Sequence, residues 1–155
     1  MLLVVGDLMV SQPPRPWPLL VADAWAMPVV ATGAGTALQG WLASASWLRV
    51  PDVRTVVLAF GADDLDTAPV DFAGAVAACA YNARARWPNA KVLVATPPCV
   101  DTSAGRRWHR RALGVLRARL RADGIEEVRL DHLFATDALG ISVVVSAAGM
   151  TSDPG

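Results

Sequence analysis

The stretch Val56–Asp64, with the sequence VVLAFGADD, decides the fold class of this chain. Its first five residues are continuously apolar, which is typical of a strand that is covered on both faces. A glycine and two aspartates follow close behind, and parallel α/β sheets bind ligands beyond the carboxyl ends of their strands. The stretch therefore predicts a buried strand that carries polar residues to one edge of a sheet.

Similar apolar runs alternate along the chain with longer segments rich in alanine and arginine. The predicted strands are Leu2–Val5, Val29–Val30, Val56–Phe60, Val92–Ala95 and a weaker Val128–Leu130. The predicted helices are Leu19–Trp25, Thr36–Leu48, Val70–Arg86 and Gly105–Arg121, and Pro88 is expected to stop the third helix. This order predicts a doubly wound, three-layer α/β/α fold with a mostly parallel five-stranded sheet and right-handed crossovers.

The composition bounds the classes of protein to which the chain can belong. Its 155 residues suit a single domain, 1–155, in which 137–155 is a poorly specified C-terminal segment. With 54% hydrophobic and 18% charged residues, disorder is excluded as the main state. Fourteen basic residues balance fourteen acidic ones, so we expect no nucleic-acid partner and no binding to an anionic membrane. No apolar stretch reaches the length of a membrane span.

The cysteines and tryptophans suggest a reducing compartment and a well-filled core. Cys79 and Cys99 do not form a disulfide framework, and the N-terminus MLLVVGD has no basic leader, so a cytoplasmic location is expected. Core packing or a homodimer face would explain most of the six tryptophans. One or two of them would instead line an apolar substrate pocket.

Five loops should meet at the carboxyl edge of the predicted sheet. They are Gly6-Asp7-Leu8, Gly33-Ala34-Gly35-Thr36, Gly61-Ala62-Asp63-Asp64, Thr96-Pro97-Pro98-Cys99 and Asp131-His132. Glycine and aspartate recur among them, and this convergence is a stronger signal than any single motif. The edge is therefore the candidate ligand site.

These loops resemble the sequence blocks of the SGNH (GDSL-type) hydrolases, a family of esterases and lipases. MLLVVGDL resembles the first block, a strand followed by Gly-Asp-Ser, and ATGAGTA resembles the second, whose oxyanion-hole glycine is best matched by Gly35. VVLAFGADDL resembles the third block, Gly-x-Asn-Asp, and VLVATPPCV the fourth strand with its proline-rich exit. SDPG resembles the start of the Asp-x-x-His block. The resemblance implies a flavodoxin-like fold and a hydrolase-type site.

The decisive catalytic positions of that family carry other residues here. Leu8 occupies the position of the serine nucleophile, and Asp63 occupies that of the oxyanion-hole asparagine. The sequence ends at Gly155, before the histidine that a dyad with Asp153 would need. Since serine esterases need a hydroxyl, a base and oxyanion donors, ordinary family chemistry is not expected.

Three residues near the predicted edge offer substitutes, each with a more ordinary interpretation. Ser11 lies three residues after the nucleophile position, but a serine in this place is typical of a turn. Cys99 is typical of a small buried apolar residue, and it would act as a nucleophile if a cation such as His109 activated its thiol. His132 follows the fifth strand and suits a surface loop equally well. Cys79 is expected in the core.

Three aspartates provide a different chemistry. The ends of the first and third strands lie side by side, so Asp7 and Asp63 would share a partly desolvated site in which their pKa values separate. Such a pair supplies an acid and a base near neutral pH. In the alternative interpretation, Asp7 and Asp64 are structural and accept backbone N–H bonds.

The candidate site residues follow from these arguments. Asp63 and Asp7 are the predicted catalytic residues, and the predicted substrate contacts are Gly35, Gly61, Leu8, Asp64, Cys99 and His132. Carboxylates can hold Mg²⁺ or Ca²⁺, but no ligand spacing supports a metal, and no cofactor is expected.

The basic segment Arg106–Arg111, with the sequence RRWHRR, opens the fourth predicted helix. A helix N-terminus with several arginines would bind phosphate or carboxylate. The alternative is a solvated helix face with Trp108 turned inward.

Three functions remain open on the sequence alone. The favoured one is an enzyme that acts on an apolar small molecule by carboxylate acid–base chemistry: cyclisation, elimination, isomerisation or hydrolysis. The second is a residual esterase with a non-standard nucleophile, and the third is a non-catalytic binding or scaffold protein. Fold alone does not choose among them.

Overall fold

The computed structural model describes residues 1–7, 18, 28–97 and 102–128, and five strands among these residues form one parallel sheet. Its strands are β1 (Leu2–Gly6), β2 (Val29–Gly33), β3 (Thr55–Ala59), β4 (Lys91–Ala95) and β5 (Glu126–Val128). They lie in the order β2-β1-β3-β4-β5, with every neighbouring pair parallel. The predicted α/β class and five-stranded sheet are confirmed. The fifth strand begins earlier than predicted, and residues 129–130 lie outside the described residues.

Helices connect the strands at nearly the predicted positions. They are α1 (Ala37–Leu42), α2 (Ser44–Trp47), α3 (Pro69–Arg86) and α4 (Ser103–Asp123). The predicted helix Leu19–Trp25 lies outside the described residues. Helix α3 ends at Arg86, just before Pro88, as expected. No described helix combines the length and the apolar character needed to cross a membrane.

The prediction of one helix over Thr36–Leu48 is wrong, because α1 and α2 are separate helices joined at Ala43. In a continuous helix the carbonyl of Gly40 would accept the N–H of Ser44. Here it accepts the indole Nε1–H of Trp47 at 2.9 Å instead. Trp47 is 2% exposed, so burying this ring and pairing its N–H stabilises the break.

The core lies between the sheet and a layer formed by α1, α3 and α4. All five residues of β1 are buried, whereas all five residues of β2, at the sheet edge, are half-buried. Phe72 of α3 meets the ring of Trp108 of α4 edge to face, with ring centroids 5.1 Å apart. Cys79 is in the core as predicted, and burial raises the pKa of its thiol to about 12.

Candidate functional site

Strand register brings the first three loops to one level at the carboxyl edge. Gly6, the last residue of β1, lies opposite Gly33 of β2 and Ala59 of β3. The ladder continues one step further, because Asp7 N–H donates to the carbonyl of Ala59 at 3.0 Å. The loops that begin at residues 7, 34 and 60 therefore leave the sheet side by side.

Asp7 joins the first loop to the third. Its side chain is 4% exposed, and its Oδ2 accepts the backbone N–H of Ala62 at 3.1 Å. A buried carboxylate needs such donors to offset its lost hydration. This contact is the backbone bond that the structural interpretation of Asp7 predicted.

Asp64 joins the third loop to the second in the same way. It is completely buried, and its two carboxylate oxygens lie 3.2 and 3.4 Å from the backbone nitrogen of Ala37, the first residue of α1. Desolvation by burial raises the pKa of Asp64, and the nearby charge of Asp63 also raises it. Hydrogen bonds from Ala37 N–H and the Thr67 side chain lower the pKa. Burial is the largest of these causes, and the net shift of the pKa is upward.

Asp63 lies between these two buried acids in the sequence, but its side chain is exposed. The acid–base prediction relied on partial desolvation of both Asp7 and Asp63. Asp7 is buried and Asp63 is exposed, so the burial that the prediction assumes is present at one member of the pair. The catalytic roles of Asp63 and Asp7 stay predictions.

Gly35 and Gly61 give the two loops their shape. Their φ angles are +93° and +130°, in the region that favours glycine. A Cβ at Gly61 would overlap the ring of Pro97, and one at Gly35 would overlap the amide of Gln39. No described residue accepts a hydrogen bond from the N–H of Gly35. Its role in binding substrate stays a prediction.

A capping box fixes the turn that follows Gly35. Thr36 N–H donates to Gln39 Oε1 at 2.8 Å, and Gln39 N–H donates to Thr36 Oγ1 at 3.2 Å. Together with the bond from Ala37 to Asp64, this arrangement holds the second loop against the third.

Several predicted site residues lie outside the described residues: Leu8, Cys99, His132 and the alternative nucleophile Ser11. Within the part of the chain that the structure describes, no group of three or more histidine, cysteine, aspartate or glutamate side chains could hold a metal ion.

The start of α4 adjoins the site through two contacts that the sequence did not predict. Trp108 Nε1 donates to the carbonyl of Thr67 at 2.7 Å, and His109 Nε2 lies 2.8 Å from the carbonyl oxygen of Pro97. Trp108 is buried, while the arginines at 106, 107, 110 and 111 are exposed, in line with the solvated-face interpretation. Only the position of Trp108 and His109 near the start of the helix that follows β4 could have indicated these contacts.

Comparison with solved structures shows the fold. The chain is similar to an aryl esterase from M. smegmatis, with a TM-score of 0.75, 16% identity and 96% of each chain covered. It is also similar to a member of the lipolytic G-D-S-L family from Veillonella parvula, with a TM-score of 0.73, 11% identity, and 95% of this chain and 94% of that chain covered. A third similar structure, TesA, gives a TM-score of 0.68 and 24% identity over 82% of this chain and 76% of that one.

No protein-family model and no curated protein matches the sequence. The structural likeness agrees with the strand order 2-1-3-4-5 and with the loops that meet at the carboxyl edge. This chain therefore has the fold of the SGNH (GDSL-type) hydrolases, at a low level of sequence identity.

Proposed function

We propose that the chain is an enzyme that acts on a small apolar molecule at the carboxyl edge of the sheet, with Asp63 as the ionisable group that meets the substrate. One observation carries the proposal: buried Asp7 and Asp64 clamp the loop to its neighbours, while exposed Asp63 projects from the same loop. A carboxylate on a rigid loop is preorganised for general-base work. Asp7 is then a positioning residue.

Among the reactions that acid–base chemistry allows, the likeness to an aryl esterase favours ester hydrolysis. Leu8 has no nucleophilic group, and in the proposed mechanism water attacks the ester directly. Asp63 takes a proton from that water as its oxygen bonds to the carbonyl carbon. The C–O bond to the leaving alcohol then breaks, and Asp63 returns the proton to the leaving oxygen. Gly35 N–H is the donor suited to the developing oxyanion.

The substitution Asp63→Asn tests this function directly. It removes the base while keeping the side-chain shape, so the rate of 4-nitrophenyl acetate and 4-nitrophenyl butyrate hydrolysis should fall about 100-fold or more. Asp66→Asn is the matched control, because Asp66 is an exposed aspartate of the same loop. Its rate should stay within about twofold of the unsubstituted protein. Equal rates for the two variants would eliminate Asp63 as the base.

Two alternatives have distinct results in the same assays. A residual esterase that uses Ser11 or Cys99 would be labelled by a fluorophosphonate or a thiol-reactive ester mimic, and Asp63→Asn would leave that labelling unchanged. A non-catalytic binding protein is supported by the backbone bonds of Asp7 and Asp64, and it would give neither turnover nor labelling. The cytoplasmic location stays a prediction.

A further inference from the structure

Helix α3 has an apolar section on the face that it turns away from the sheet. It lies between α1 and α4 in the helix layer, where an outer face is normally polar. Its outward positions include Gly74, Ala78 and Tyr81, and Tyr81 is 74% exposed. The polar residues Asn82 and Arg84 follow towards the end of the helix and line the same groove. Helix α4 behaves differently, because arginines occupy much of its exposed face.

Helix α1 extends this apolar area. Leu38, Trp41 and Leu42 are 51%, 41% and 68% exposed. Trp41 and Tyr81 help to line an open groove of about 520 Å³, with Gly74 and Ala78 among its other lining residues. The α1–α3 surface consists of six residues: Leu38, Trp41, Leu42, Gly74, Ala78 and Tyr81. Exposed apolar patches of this kind mark sites of association.

We propose that the α1–α3 surface is the contact between two copies of this chain. A two-fold interface brings the same patch of both copies together, so the patch must be complementary to itself. An apolar centre meets this condition. The groove is also lined by Arg119 and Asp123, whose Nε and Oδ2 lie 3.0 Å apart. In a two-fold dimer, each copy would therefore place one positive and one negative side chain opposite the same pair of the other copy. The formal net charge of zero adds no long-range repulsion between copies.

Gly74 provides room for close approach. Glycine within a helix weakens it relative to alanine. Packing in the described part of the chain does not require glycine at position 74, because a Cβ there would meet no atom within 4 Å. Without a side chain, the backbone of α3 can come close to the matching helix of a second copy. The rings of Trp41 and Tyr81 would then enclose the contact.

The size of the surface predicts a weak dimer. Helix α3 has 18 residues and is about 27 Å long. With neighbouring helices roughly 8–10 Å apart, the outer face of α3 and α1 offers on the order of 500 Å² per copy. The total of roughly 1,000 Å² lies at the low end for specific interfaces, so we expect association that depends on concentration in the micromolar range.

The test compares Gly74→Glu with Gly114→Glu by sedimentation velocity over a range of protein concentrations. Both glycines lie within long helices, and a Cβ meets nothing within 4 Å at either position, so both variants should fold. Circular dichroism and a thermal melt check this folding. We expect the unsubstituted protein and Gly114→Glu to dimerise alike, whereas Gly74→Glu weakens dimerisation by about 10-fold or more, because it places two carboxylates at the contact.

Two results would overturn the proposal. One is a protein that stays monomeric at every concentration up to about several hundred micromolar, well above the micromolar dissociation constant that is expected. The other is equal weakening by Gly74→Glu and Gly114→Glu, which would place the contact elsewhere. Since no substrate is needed, the outcome is independent of the esterase assays.

Discussion

Adjacent aspartates at positions 63 and 64 have opposite surroundings. Asp64 points to the first turn of α1, where the backbone N–H of Ala37 meets its carboxylate, while the side chain of Asp63 is exposed. Both aspartates lie in a turn that begins at Gly61, whose φ of +130° would strain any other residue. One residue of the pair therefore joins two loops, while its neighbour is exposed on the same loop.

The buried position of Asp64 predicts a pH dependence of stability. Its pKa is raised above 3.8 in the folded chain, chiefly by burial, so the folded state binds the proton more tightly than the unfolded state. The stability contributed by this shift is fully present below pH 3.8 and is lost as pH rises through the folded pKa. Asp64→Asn cannot titrate. The free energy of unfolding of the unsubstituted protein minus that of Asp64→Asn should therefore fall as pH rises.

Urea unfolding of both proteins, from acid to neutral pH, measures this difference. Asp66→Asn, a substitution at an exposed aspartate of the same loop, is measured in parallel as the control. A difference for Asp64→Asn that increases with pH would mean that the bonds from Ala37 and Thr67 outweigh burial, and the expected upward shift of the Asp64 pKa would be wrong.

Helix α4 begins at a local sequence signal. Thr102 is its N-cap, and Thr102 Oγ1 accepts the backbone N–H of Gly105 at 2.9 Å. This cap matters for the site because the next turns carry Trp108, bonded to Thr67, and His109, beside Pro97. The start of α4 is thereby held against the loops that follow β3 and β4.

Removing the cap should destabilise the chain modestly. Thr102→Ala leaves the N–H of Gly105 without its side-chain acceptor and should lower the free energy of unfolding by about 1 kcal/mol in a urea titration. Ser103→Ala is the matched control, since Ser103 is the next residue, is exposed, and is not the cap. Equal losses in the two variants would show that the hydrogen bond to Gly105 does not stabilise α4.

At the scale of the whole molecule, the sheet is protected unevenly. Strand β1 pairs with β2 on one side and β3 on the other, and all five of its residues are buried. Strand β2 lies at the edge with every residue half-buried, and β5 has only three residues. The strand residues are therefore more deeply buried in β1 and β3, at the centre of the sheet, than in β2 and β5, at its edges.

Amide hydrogen exchange should follow this gradient. We expect the amides of β1 and β3 to exchange only through global unfolding, at a free energy equal to that from urea titration, because both strands are paired on each side. Amides of β2 and β5 should exchange at a lower free energy through local opening. Exchange of β2 as slow as that of β1 would show that the sheet opens as a single unit.

Most of the fold could be predicted from the sequence. Continuous apolar runs such as Val56–Phe60 indicate strands covered on both faces, and their alternation with helices leads to a parallel sheet. Its strands lie within a few residues of the predicted positions. The clearest error is the helix over Thr36–Leu48, where the buried indole of Trp47 takes the carbonyl of Gly40 from the helix ladder. Periodicity along the chain does not contain such a contact.

The sequence by itself determined the α/β class, the carboxyl edge and the types of residue gathered there, because these follow from local apolar patterns and from the direction of parallel strands. Only the tertiary structure decided which acid does what. The contacts of Asp64 with Ala37 and of Asp7 with Ala62 join residues that are 27 and 55 positions apart. Burial of a carboxyl group depends on such distant neighbours, so Asp7 and Asp64 became buried clamps and Asp63 became the exposed acid.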